Sequence, residues 1–202
     1  MLSLFTLETL TGLVLFALVS SITPGPNNIM LLSSGVNFGF KRTIPHMLGI
    51  CAGFFILCMA TGLGIAAVLQ QYPTLHLVLK IISALYLVYL AIQIARSQPV
   101  DSHEVATHRP LTFLQAALFQ WVNPKAWMMA LSAMIIYSST LHPVASMWWI
   151  SIVFALINLP CIACWALFGV LLKQVLNRPA YLKWFNISMG ILLIASIYPI
   201  LK

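Results

Sequence analysis

Thr23-Pro24-Gly25-Pro26-Asn27-Asn28 stands in the middle of the first long apolar stretch of this chain. One hundred residues later a second break, Asn123-Pro124-Lys125, interrupts another apolar stretch. A helix that only anchors a protein in lipid gains nothing from such breaks, because hydrocarbon cannot solvate the backbone groups they free. Two breaks of this kind point to a polar site inside a bilayer. Their two-fold echo points to a transporter.

Composition agrees on the solvent. Of 202 residues, 61% are hydrophobic and only 6% charged, against roughly 25% charged in ordinary soluble domains. So little charge cannot cover a folded domain with water-compatible surface, and lipid is the expected partner. The net charge of +7 sets ten Lys and Arg against Glu8, Asp101 and Glu104. Most basic residues lie between apolar runs, which fits lipid headgroups and the positive-inside effect rather than nucleic acid. No cleavable signal sequence stands out, since Glu8 occupies the lead that a basic region would need.

Turn and charge signals predict six helices, at about 5–34, 43–70, 74–95, 111–137, 144–172 and 180–201. Each reaches the roughly 20 residues that a bilayer requires. Gln71-Tyr72-Pro73 and His142-Pro143 mark tight connections, and Arg178-Pro179 marks a loop followed by a helix start. Charge alternates along the connections. The first holds Lys41 and Arg42, the third Arg96 and Arg109 with Asp101 and Glu104, the fifth Lys173, Arg178 and Lys183. The second and fourth hold none. Loops one, three and five are therefore expected in the cytoplasm and both termini outside, with Lys80 and Lys202 as exceptions. Three helices on each side of the central loop then have opposite orientations. The expectation is an all-α polytopic membrane protein, a single domain over 1–202. Its six transmembrane helices form two inverted three-helix repeats, about 1–97 and 110–202, with helices 1 and 4 broken.

The breaks carry the chemistry. Pro24 and Pro26 remove two amide donors, Gly25 lets the backbone turn, and the carbonyls around Ser20 to Ile22 need new partners. Thr23, Asn27 and Asn28 bring compact donors and acceptors beside them. A helix restarting at Pro26 would offer its amide end to a carboxylate. The blander reading is a kinked, packed helix capped by its asparagines. At the second break, Lys125 would cost roughly 2.5–3.5 kcal/mol at a span centre, and apart from Glu8 at the outer tip of the first helix no Asp or Glu lies in a span to neutralise it. Its candidate partners are carbonyls freed by either break, Gln120, a substrate carboxylate, or the cytoplasmic edge reached by snorkelling.

Other polar residues are weaker candidates. Gln115, Gln120, Asn123, Tyr86 and Tyr89 suit interhelical hydrogen bonding, and Asn158 beside Pro160 is the best secondary site residue. Gly49 and Gly53 form a small-residue face for close helix packing. His46 reads as an interfacial group near the start of helix two, and as a candidate for coupling transport to protons. Cys51 and Cys58, with Cys161-x-x-Cys164 in the corresponding helix, invite a thiol-relay reading, although isolated membrane cysteines usually serve as small apolar packers. No metal site is expected, because no His or carboxylate joins them at useful spacing.

Three stretches resemble LysE/RhtB-type amino-acid exporters, small bacterial inner-membrane proteins with six helices. They are SITPGPNNIMLLSSGVNFGFKRTIPHMLGI (Ser21 to Ile50), LKIISALYLVYLAIQIARS (Leu79 to Ser97) and FLQAALFQWVNPKAWMMAL (Phe113 to Leu131). Helix six, with Asn186 and Gly190, matches more loosely. The resemblance implies that Thr23, Pro24, Gly25, Pro26 and Asn27, with Asn123, Pro124 and Lys125, line the translocation region. Ala84, Ala91 and Gln115 or Ala116 depart from glycine-bearing family positions and weaken any choice among family substrates. It further implies export of neutral amino acids such as threonine, homoserine, leucine or cysteine, with proton coupling. No ATP-binding motif is present and no cofactor is expected, so an ion gradient or the substrate gradient would drive export. A membrane thiol–disulfide carrier and a non-transporting assembly subunit remain as alternatives. The Gly and Ala faces suit packing within one chain or between copies in a homo-oligomer.

Overall fold

A computed structural model describes residues 6–65, 71–97, 109–176 and 178–198. Those residues are helical throughout, with eight α-helices and no strand among them. The helices are α1 (Leu7–Ile22), α2 (Pro26–Phe38), α3 (Phe40–Gly62), α4 (Pro73–Ala95), α5 (Phe113–Phe119), α6 (Pro124–Tyr137), α7 (Pro143–Val175) and α8 (Pro179–Ala195). A 3-10 turn, Gln120–Val122, follows α5. Five helices begin on proline, where the missing amide costs nothing and the fixed φ already suits a helix.

The expected first helix is two helices, α1 and α2, meeting at 54° across Thr23-Pro24-Gly25. The second half runs on to Phe38, four residues beyond the expected end. Gly39, at φ 79°, then reverses the chain into α3 after a single residue. The second helix ends at Gly62 rather than 70, because Gly64 takes φ 93° just beyond it. Residues 66–70, and Asp101, His103, Glu104, His108 and Lys202, lie outside the described residues. By length and hydropathy α3, α4 and α7 each suffice to cross a membrane, and the bent pair α1–α2 makes a fourth span. The fourth and sixth expected spans are shorter as regular helix: the break at Asn123 divides one, and α8 has 17 residues.

Packing runs across the breaks. Leu13 and Ala17 of α1 share one buried cluster with Ala126, Ala130, Ala133 and Met134 of α6. Ile29 and Met30 of α2 share another with Phe119 of α5 and with α4 and α8. The stretch before the first break thus pairs with the stretch after the second, and the reverse holds on the other side. Two broken helices set antiparallel, with their breaks level, have this pattern.

Small residues bring backbones together where lipid supplies no hydrophobic drive. Gly35 lies against the Ala166 carbonyl and Gly169, and Gly169 against the Leu32 carbonyl, so α2 and α7 touch main chain to main chain. The anticipated Gly49 and Gly53 face rests on the carbonyls of Phe113 and Ala117 in α5. Asn37 and Asn186 exchange side-chain hydrogen bonds of 2.9 and 3.0 Å, and Asn186 also donates to the Ser97 carbonyl. These contacts gather the C-terminal ends of α2, α4 and α7 and the first half of α8 at one end of the bundle.

Candidate substrate site at two broken helices

Every carbonyl freed by the first break has found a donor. The Ser20 carbonyl accepts from Thr23 Oγ1 at 3.0 Å. The Ser21 carbonyl accepts from Asn28 Nδ2 at 3.0 Å, and the Ile22 carbonyl from Trp165 Nε1 of α7 at 3.0 Å. The Thr23 carbonyl accepts from Asn28 Nδ2 at 2.7 Å and from Lys125 Nζ at 2.5 Å. Lys125 Nζ also donates to Thr23 Oγ1 at 3.0 Å and to the Pro24 carbonyl at 3.4 Å. The lysine therefore bridges the two breaks instead of turning toward the membrane edge. Its charge sits against the C-terminal end of α1, where the helix dipole is negative.

Gly25 makes room for this. A Cβ there would lie 2.6 Å from Lys125 Cδ and 3.2 Å from Nζ. Its backbone is fully extended, at φ −175° and ψ 179°, so the requirement is for space and not for a special conformation.

The second break is tied to the first by amides. Asn27 Nδ2 donates to Gln120 Oε1 at 2.8 Å, and Gln120 Nε2 returns a bond to Asn27 Oδ1 at 3.1 Å. Gln120 also donates to the Ala116 carbonyl. Asn123 caps α6, its Oδ1 accepting from the Lys125 amide at 3.2 Å, and Pro124 occupies the first helical position. The start of α2 differs: Gly25 offers no capping side chain, so the first-turn amides there have no side-chain acceptor.

Between the breaks lies a small cleft. Gly25, Asn27, Asn28, Asn123 and Lys125 line it, and so does Asn158 from α7. Thr23 joins through Lys125, Gln120 through Asn27, while Pro24 and Pro26 shape the bend. Ser20, Ser21, Phe54 and Met129 also line it, and sequence reading had not singled them out as site residues. Ser21 Oγ is buried and has no hydrogen-bond partner among the described residues. A serine pair directly before the Thr-Pro-Gly-Pro run was the available signal.

Two expectations need correction. His46 is not an interfacial group: it is 1% exposed, and it lines a different cavity from the one at the breaks. Because α3 begins at Phe40 rather than 43, His46 lies nearly two turns inside the helix. Gln115 is not interhelical either, since it forms a capping box with Thr112 at the start of α5. The four cysteines are free thiols, and Asn158 Nδ2 contacts Cys51 Sγ at 3.9 Å.

Residues 18–196 match the family profile described as LysE type translocator. Cysteine/O-acetylserine efflux proteins from Salmonella choleraesuis (strain SC-B67), Salmonella typhimurium and Escherichia coli O6:K15:H31 are each 30% identical to this chain over 183 residues. The alignments cover 89% of this chain and 90% of each relative. No solved structure matches.

Proposed function

The chain belongs to the LysE type translocator family, and on that premise we propose that it exports small amino acids or amino-acid-like zwitterions across the bacterial inner membrane. The observation that carries this reading is the cavity at the two breaks, lined by an uncapped helix N-terminus, Lys125 and four asparagines. A substrate carboxylate would take the first-turn amides of α2 and feel the charge of Lys125, whose three hydrogens already go to Thr23 and Pro24. Its ammonium needs up to three acceptors. The freed carbonyls are already engaged, which leaves Ser21 Oγ and the side-chain oxygens of Asn28 and Asn158 for that role. No carboxylate lines the cavity among the described residues, so a neutral amino acid fits better than one with a second positive charge. Cysteine and O-acetylserine, the compounds named for the relatives, are the first substrates to test.

The fuller reading is a single domain of six spans in two inverted repeats that work by alternating access, driven by an ion gradient. Packing of α1 with α6 and of α2 with α5 supports antiparallel halves. Gathering of the Lys41, Arg96 and Arg178 ends of their helices at one end of the bundle supports that end being cytoplasmic, with both termini outside. His46 is kept as a candidate for proton coupling. Counterflow of labelled amino acids in proteoliposomes, with a pH gradient imposed or collapsed, tests substrate class and coupling together. Saturable exchange of cysteine, O-acetylserine or similar neutral amino acids is expected. Correctly inserted protein that shows no saturable flux across a broad panel would overturn the export reading.

A further inference from the structure

A second cavity, larger than the one at the breaks, lies farther along α2. Ser33 and Ser34 line it, five and six residues beyond Asn28, or about 8–9 Å at the helical rise. His46 enters it from α3, Gln93 and Ser97 from the end of α4, and Arg109 from the approach to α5. His46 is buried, yet neither ring nitrogen has a hydrogen-bond partner among the described residues. Leaving such groups unsatisfied costs about 1–3 kcal/mol each, so this wall of the cavity carries an unmet demand for a polar partner.

The chemistry of that occupant follows from the free donors and acceptors. Thr43 Oγ1 donates to the Gly39 carbonyl at 2.8 Å, so the 2.8 Å contact between Ser34 and Thr43 uses the Ser34 hydrogen. Ser34 Oγ is left as an acceptor facing the cavity. Ser33 Oγ already accepts from Asn37 at 3.3 Å and keeps its own hydrogen to donate. Gln93 spends its amide nitrogen on Tyr89, which leaves its oxygen free. The imidazole adds one donor and one acceptor. Arg109 adds a forked cation suited to a carboxylate, with no hydrogen-bond or ion-pair partner among the described residues. One guanidinium beside several acceptors does not suit a multiply charged anion, which would want more cations. It suits a molecule with a carboxylate at one end and an ammonium at the other.

We propose that this cavity is a second binding site for a zwitterionic amino acid, a staging site on the face that carries Arg109. It would hold substrate before transfer along α2 to the breaks. The inference rests on the export reading above. Arg109 takes the carboxylate, while Ser34, the Gln93 oxygen and one His46 nitrogen receive the ammonium.

The test is half-saturation measured separately at the two membrane faces, using labelled cysteine and O-acetylserine in proteoliposomes of known orientation. R109Q and H46L should raise half-saturation about tenfold at the Arg109 face and leave the opposite face within twofold. H46Q, which keeps a donor and an acceptor, should recover most of the loss. K125M, at the breaks, should weaken both faces. Equilibrium binding of the same amino acids to the purified K125M protein should retain a component that R109Q removes. Flux-competent variants that shift both faces equally, or neither, overturn the staging site and leave export standing. Absence of wild-type flux overturns export instead; binding indifferent to Arg109 and His46 then removes the staging site as well. Because Arg109 is exposed, R109Q keeps the test decisive even if H46L fails to fold.

Discussion

Alanine at position 25 would put a single methyl group where Lys125 now lies. The new Cβ would stand 2.6 Å from Cδ, 3.2 Å from Nζ and 3.4 Å from Cε. Ordinary carbon contacts begin near roughly 3.5 Å, so the lysine stem must retreat by about 1 Å. That retreat breaks its hold on the Thr23 hydroxyl at 3.0 Å and the Pro24 carbonyl at 3.4 Å, and strains the bond to the Thr23 carbonyl. A charge-assisted hydrogen bond is worth about 1.5–3 kcal/mol, or roughly ten- to a hundredfold in an equilibrium constant. The backbone itself is indifferent, because extended φ and ψ at this position are open to any residue. G25A should therefore raise half-saturation for amino-acid counterflow by about tenfold or more, with insertion and folded yield unchanged. Because the clash acts through one side chain, G25A should add little once Lys125 is already Met. Gly12→Ala is the comparison, since its Cβ would meet Tyr137 Cε1 at 3.3 Å and asks that ring edge, and not Lys125, to give by a few tenths of an ångström. Wild-type kinetics in G25A, or fully additive losses in the G25A/K125M double variant, would refute the argument.

Replacing Cys51, Cys58, Cys161 and Cys164 together with Ala should leave most of the transport intact; a thiol relay would lose all activity, as a counterflow assay would show. Asn186→Leu strands Asn37 and the Ser97 carbonyl, and should cost about 1–3 kcal/mol, read as a lower apparent Tm in detergent. Gly169→Leu drives a side chain into the α2 backbone; loss of the monodisperse folded peak in size-exclusion chromatography is expected, whereas unchanged elution would contradict the close packing.

The breaks were legible because proline and glycine act locally: Pro24, Pro26 and Pro124 forbid continuous helix wherever they are placed. Their partners were not legible. Lys125 finds Thr23 across 102 residues, and Trp165 finds Ile22 across 143, and nothing in the spacing of either names the other. Sequence reading left Lys125 open among freed carbonyls, Gln120, substrate and the membrane edge; the side chain points to the carbonyls of the first break. The burial of His46 was not legible because the residues that cover it belong to other parts of the chain, and its place four residues after Arg42 suggested the edge of a span. Gln115 was misread because a capping box at Thr112 uses its side chain locally. Ser21 was passed over because a serine inside a membrane helix usually bonds back to its own backbone, as Ser20 does to Phe16.

The contact of Gly35 with Gly169 has a mechanical consequence. With no side chain between them, the two helices meet main chain to main chain, and α2 is buried along most of its length, from Asn28 to Asn37. Gly35 sits near the C-terminal end of α2, nine residues and about 13 Å from Pro26. A turn of about 10° around that contact would carry the start of α2 through roughly 2 Å. That travel is enough to part Asn27 from Gln120 and to pull Asn28 off the carbonyls it serves. Even a small displacement of this one packed helix therefore reaches the hydrogen bonds at both breaks.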